Sequence, residues 1–148
     1  MSDTPITTNR QVAPSATLGN EVRVVRSSER RIEVGSGAMT RFEGVSSGLT
    51  GAQGIHLAIA TIPPREMSSP HRHINCESAI FVLSGQGRFL VGEQLERSIQ
   101  VGPGDFIYIP PMAVHAPTSD SDEPLELLVA RNAPVEEVEE VSLPSNAR

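Results

Sequence analysis

The chain has 148 residues, a formal net charge of −6 and 38% hydrophobic residues, which suits one domain able to bury a proper core. It has no run of basic residues, so nucleic acid is not expected as a partner, and its one cysteine, Cys76, excludes an intrachain disulfide framework and fits a reducing compartment. No apolar run approaches the roughly 20 residues that span a bilayer, and Met1 to Pro5 lacks the basic and apolar stretches of a signal peptide, so a cytoplasmic protein with no membrane partner is expected.

Residues 1–20 carry little apolar content and read as a flexible N-terminal arm. Glu21 to Arg26 and Arg30 to Val34 are short strand candidates, with Ala38 to Glu43 a weaker one. Residues 44–54 form a glycine-rich loop without the Lys-Ser/Thr ending of a phosphate-binding loop. From Ile55 to Ile62 the chain alternates, with Ile55, Leu57, Ile59 and Thr61 on one face and His56, Ala58 and Ala60 on the other, until Pro63-Pro64 stops the strand. Ala79 to Leu83 is an apolar run, and Ser84-Gly85-Gln86-Gly87 predicts a tight hairpin returning through Arg88 to Val91. Gly92-Glu93 turns again, and Leu95, Ile99 and Val101 mark another strand. Gly102-Pro103-Gly104-Asp105 has strong turn chemistry. Phe106 to Ile109 runs into Pro110-Pro111, and Leu125 to Ala130 is the last strand. Residues 135–148, acidic from Val135 to Val141, read as a solvated flexible tail, with the three-residue rhythm of Val135, Val138 and Val141 allowing a helical turn or two instead. With about eight or nine short strands and no helical period in the middle of the chain, the pattern argues for an all-β sandwich or barrel.

The histidines carry the chemistry. Of only four, His71 and His73 flank Arg72, Glu77 follows four residues on, and His115 closes the segment that starts at Gly104. Residues two apart on a strand share a face, so His71 and His73 can point together, and a third imidazole from a distant strand can complete a metal site. Arg72 should point the opposite way. His56 either lines a narrow barrel, where it can act as a general acid or base, or faces solvent. Tyr108 alternates with Ile107 and Ile109 and is either a core aromatic or a proton donor. Arg88 and Arg131 are either anion holders or solvated ends, and Cys76 is either a small buried residue or a reactive thiol beside the metal.

His71-Arg72-His73, Glu77 and Gly85 resemble the first motif of the cupins, and Gly104 to His115 resembles their second. The resemblance covers residues 55–131 inside a barrel domain spanning 21–134, and it implies a double-stranded β-helix, or jelly roll. Three positions depart from the family pattern: Arg65 and Met112 stand where glycine is usual, and Ser119 where asparagine is usual. The acidic ligand is a fourth departure. Counting forward from His73 favours Glu77, whereas counting back from Gly85 leads to Ser78. Neighbouring strand residues face opposite ways, so either Glu77 joins the three histidines or Ser78 lies beside the metal.

The resemblance implies that the motif histidines bind a divalent transition metal, with Zn, Fe, Mn or Ni all acceptable to such ligands. It implies a metal-dependent enzyme acting on a small polar, oxygen-bearing molecule, through isomerase, cyclase or lyase chemistry or, with iron, dioxygenation. A non-catalytic cupin that binds or senses a small ligand is the alternative. It also implies a homodimer, formed through the strands from Glu21 to Val34.

Overall fold

The computed structural model describes residues 21–33 and 37–143. The expected arm at residues 1–20 and the last five residues of the expected tail lie outside that range. Among the described residues, eleven strands form two sheets with antiparallel pairing. The larger sheet takes β1 (Arg31–Glu33), β2 (Thr40–Val45), β3 (His56–Ile62), β10 (Leu125–Arg131), β5 (Ser78–Ser84) and β8 (Phe106–Ile109), in that spatial order. The smaller sheet takes β11 (Val138–Glu140), β4 (His71–His73), β9 (His115–Ser119), β6 (Gly87–Val91) and β7 (Arg97–Val101). From β3 onward the chain repeatedly crosses from one sheet to the other, as an all-β jelly roll requires.

That crossing corrects the hairpin expected at Ser84 to Gly87. β5 pairs with β10 and β8, whereas β6 pairs with β7 and β9. The turn glycines are instead needed where the chain changes sheets. Gly85 has φ +88°, and a Cβ there would strike the Pro124 carbonyl and lie 2.9 Å from Leu125 Cα. The β6–β7 connection through Gly92 is a true hairpin, registered from Val91↔Arg97 to Gly87↔Val101.

Other segments also differ from the sequence expectation. Glu21 to Arg26 forms no strand, and a single 3-10 turn follows at Ser27–Glu29. Within the glycine-rich loop lies one helical turn, α1 (Ser47–Thr50). Ser46 caps it by accepting from the Leu49 N–H at 3.1 Å, and Gly51 ends it in the left-handed region. The strand β9 was hidden by Pro117, yet its residues are buried and it pairs along β6. The tail supplies β11, because its backbone finds partners on the open side of β4, Val138↔His73 through Glu140↔His71.

Strand parity sorts the interior into two ends. At one end Ile62, Val82, Phe89, Leu125 and Leu127 are at most 1% exposed and form the apolar core. At the other end His56, Arg131 and Ser78, opposite one another on β3, β10 and β5, are all buried. Phe106 and Tyr108 point outward, 81% and 62% exposed, so these aromatics are not core residues. Their alternation with Ile107 and Ile109 resolves with the isoleucines inward, which spares the Tyr108 hydroxyl desolvation and leaves Phe106 on the outer face with it.

The unusual residues at the expected glycine positions keep the glycine conformation: Arg65 has φ +61° and Met112 has φ +68°. Such a conformation costs an L-residue about 1–2 kcal/mol. Gly85→Ala should therefore lower the unfolding free energy by about 2 kcal/mol or more, through both its φ and the clash. Met112→Gly should raise it by about 0.5–1 kcal/mol, because the strain disappears. Urea midpoints of the two variants against wild type check both signs.

Candidate metal centre

β4 places His71 and His73 on its inward face, 4% and 2% exposed, while Arg72 between them points out to Glu139 at 3.0 Å. β9 brings His115 directly opposite His71. The ring centroids of His71 lie 5.2 Å from His73 and 4.4 Å from His115, and a potential ligand atom from each of the three lies within 4.8 Å of the others. Two of the rings are already oriented. His71 Nδ1 lies 2.8 Å from the Ser69 carbonyl and His115 Nδ1 lies 2.8 Å from the Ala113 carbonyl. Donation from Nδ1 leaves each Nε2 lone pair free, which a metal ligand requires.

The electrostatics favour neutral imidazoles. Burial pushes His71 below its ordinary value, takes His115 down to about 4 and takes His73 down to about 2, with the neighbouring Arg131 charge adding to the effect. A divalent transition metal needs neutral imidazole, so donor type, convergence and protonation state all fit such an ion.

Glu77 does not join the three histidines. It precedes the first residue of β5, and Ser78, Ile80 and Val82 take the inward positions. Glu77 is exposed, its carboxylate accepts from Tyr108 Oη at 3.0 Å, and its backbone N–H donates to Asn132 Oδ1 at 2.9 Å. Parity thus turns Ser78 inward, where its hydroxyl is buried without a hydrogen-bond partner. Tyr108 and His115 both border a cavity of about 460 Å³ between the β6–β7 hairpin and the end of β8. The hydrogen bond to Glu77 raises the Tyr108 phenol above its ordinary value and keeps it protonated.

His56 faces the barrel interior, 3% exposed, but it belongs to a different cluster from the three histidines. It lies with Glu33 and Glu43 against a separate cavity of about 390 Å³, its Nε2 3.5 Å from Glu33 Oε1. The His56 hydrogen bond, helped by the Arg41 charge, holds the Glu33 carboxyl down at about 2. The carboxylates of this cluster already have cationic partners, Arg31 on Glu43 at 2.8 Å and Arg41 on Glu33 at 3.3 Å.

A chain of buried charges joins the two clusters. Arg41 reaches from Glu33 to Glu136 at 2.7 Å, Arg131 meets Glu136 at 2.6 Å, and Glu136 lies 3.6 Å from His73 Nδ1. Sequence reasoning gave Arg41 and Glu136 no role, and left Arg131 as either an anion holder or a solvated end. Arg131 was legible, because Leu125, Leu127 and Val129 carry their buried parity straight to it, and it is neither exposed nor at a solvated end. Arg88 is half-exposed and pairs with Asp120 at 3.2 Å. Cys76 is buried as expected, and desolvation raises its thiol above the ordinary value.

The lowered histidines couple stability to pH. In the unfolded chain an imidazole takes a proton near pH 6.5, whereas folded His115 resists until about 4, so between those values the unfolded state binds more protons. Stability of the metal-free protein is therefore full above about pH 6.5 and falls as the pH drops towards 4, by about 3 kcal/mol from His115 alone. Denaturant titrations of metal-free protein at pH 7.5, 5.5 and 4.5 should show that decline, and a His115→Gln variant should show a shallower one.

The family model described as the cupin domain matches residues 58–131, half of the chain. Among solved structures, the polyketide cyclase RemF from Streptomyces resistomycificus is 23% identical with a TM-score of 0.69, covering 86% of this chain and 90% of its own. Oxalate decarboxylase from Lactobacillus farciminis is 24% identical with a TM-score of 0.67, covering 77% of this chain and 34% of its own. A mutant oxalate decarboxylase from Bacillus subtilis is 22% identical with a TM-score of 0.65, covering 75% and 30%. This chain thus spans about a third of either decarboxylase, and these likenesses establish the fold alone. No curated protein sequence matches significantly. Among the described residues no helix is long and apolar enough to cross a membrane. With the family model over half its length and both histidine motifs converging inside one jelly roll, the chain belongs to the cupin family.

Proposed function

We propose that the protein is a metal-dependent enzyme in which His71, His73 and His115 hold one divalent transition-metal ion. The observation that carries this reading is the convergence of three buried, neutral imidazoles, two with Nδ1 engaged by backbone carbonyls. When bound, such an ion supplies Lewis acidity towards a substrate oxygen or, as iron, dioxygen chemistry. Among the structural neighbours, one is named a polyketide cyclase and another an oxalate decarboxylase with Mn(II) centres. Both names suit a small oxygen-bearing substrate, and the second favours manganese among the candidate ions zinc, iron, manganese and nickel.

The substrate enters through the cavity shared by Tyr108 and His115, whose volume of about 460 Å³ lies in the range of small-molecule sites. Tyr108, protonated and held by Glu77, is the proton donor at its edge. Glu77 thus acts on Tyr108 and not on the metal. His56 has no place beside the ion in this scheme, since its partner is Glu33 in the second cluster.

Metal analysis of protein purified without added metal tests the reading. About one equivalent of a single ion is expected, lost in the His71→Ala, His115→Ala double variant. Protein that stays metal-free after soaking with zinc, manganese, iron and nickel would sink it. If the retained ion is iron, oxygen uptake is the first activity to assay; otherwise non-redox chemistry is.

The protein also works as a homodimer in this proposal. Support comes from the outer face of the larger sheet, where Ile32, Phe42, Ile59, Leu128, Phe81 and Phe106 form a cross-strand row over all six strands. Ile32 and Phe106, at its two ends, are 66% and 81% exposed, a pattern that marks an interaction surface. Light scattering should give a dimer mass for wild type and a monomer mass for Phe106→Arg. A monomeric wild type overturns this part of the proposal.

A further inference from the structure

A metal-binding imidazole almost always uses one ring nitrogen for the ion and orients itself through the other. Ser69 and Ala113 carbonyls serve His71 and His115. His73 has no such carbonyl, and its buried Nδ1 lacks a hydrogen-bond partner. Facing it at 3.6 Å is a carboxylate oxygen of Glu136, whose side chain is only 7% exposed. A buried glutamate is rare unless it is paired, and this one is held by Arg41 from β2 and Arg131 from β10.

The backbone is arranged to deliver that carboxylate. Val138 pairs with His73 in the β11–β4 register, and the Ile74 N–H donates to the Glu137 carbonyl at 2.9 Å. The Asn75 side chain clamps the same segment from both sides, donating to the Val135 carbonyl at 2.8 Å and accepting from the Glu137 N–H at 2.9 Å. These bonds hold the residues on either side of Glu136 against the strand that carries two of the three imidazoles.

We propose that Glu136 is the positioning residue of the metal centre: it accepts the Nδ1–H of His73 and fixes that ring with Nε2 towards His71 and His115. Arg41 and Arg131 fix Glu136 in turn, and without it Arg131 would lose its carboxylate partner while Arg41 kept only Glu33. This inference rests on the metal-site reading above.

The test combines Zn(II) affinity with the tautomer of His73. In ¹⁵N-labelled wild type, long-range imidazole spectra should show His73 as the Nδ1–H tautomer both without metal and with Zn(II). Competition with a chelating dye should show Zn(II) binding weakened about 10-fold in Glu136→Gln and up to about 100-fold in Glu136→Ala, the range for losing an orienting partner of a ligand. Glu136→Gln keeps an acceptor for His73 and should keep the tautomer, whereas Glu136→Ala should lose it. Folded variants that bind Zn(II) within twofold of wild type overturn the proposal, as does an Nε2–H tautomer in wild type. If removing the carboxylate unfolds the protein, the wild-type tautomer alone decides. A wild type that binds none of zinc, manganese, iron and nickel defeats the metal reading, while its metal-free spectrum still reports whether Glu136 holds His73.

Discussion

The polar end of this barrel depends on one constraint: charge buried away from water must be paired. Glu136 sits between Arg41 and Arg131, Arg41 reaches on to Glu33, and Glu33 meets His56. A lone guanidinium or carboxylate in that setting costs several kcal/mol, so each group is tolerable only while its neighbours stay in place. The chain therefore couples β1, β2, β3, β10 and the segment before β11 into one arrangement. Its Glu136 end meets His73, so the interaction that permits buried charge also borders the candidate metal centre.

The apolar end answers a different need. Phe89, Ile62, Val82, Leu125 and Leu127 are packed with almost no exposure and carry no polar side-chain group. Close packing there, from both sheets, fixes their separation. The histidines then sit on strands held by that packing, and His115 among them borders the cavity beside Tyr108. A rigid frame with a polar end suits a site whose ligands must hold their geometry whether or not an ion is bound.

Backbone strain follows the same logic. Arg65 and Met112 occupy left-handed positions where glycine would be relaxed. The Met112 N–H donates to the His73 carbonyl at 2.9 Å, so the strained residue is tied to the ligand strand. Surroundings that over-determine a conformation are what allow such strain to persist.

Much of the fold and site was legible in the residues themselves. Alternation from Ile55 to Ile62 limited His56 to one of two faces, two-residue spacing put His71 and His73 together, and glycine and proline marked most turns, because each of these signals is local. Parity even carried Arg131 inward from Leu125. What the sequence left open was which sheet each strand would enter, so the expected Ser84–Gly87 hairpin became a crossing. Local pattern likewise left Glu77 and Ser78 undecided, until pairing of β5 between β10 and β8 turned Ser78 inward. The acidic segment after Val135 shows the limit most clearly. Its composition reads as solvated, and only the unpaired side of β4 makes it a strand and brings Glu136 to His73. Local chemistry determined which residues could bind a metal; long-range strand pairing, which composition does not encode, decided which of them meet.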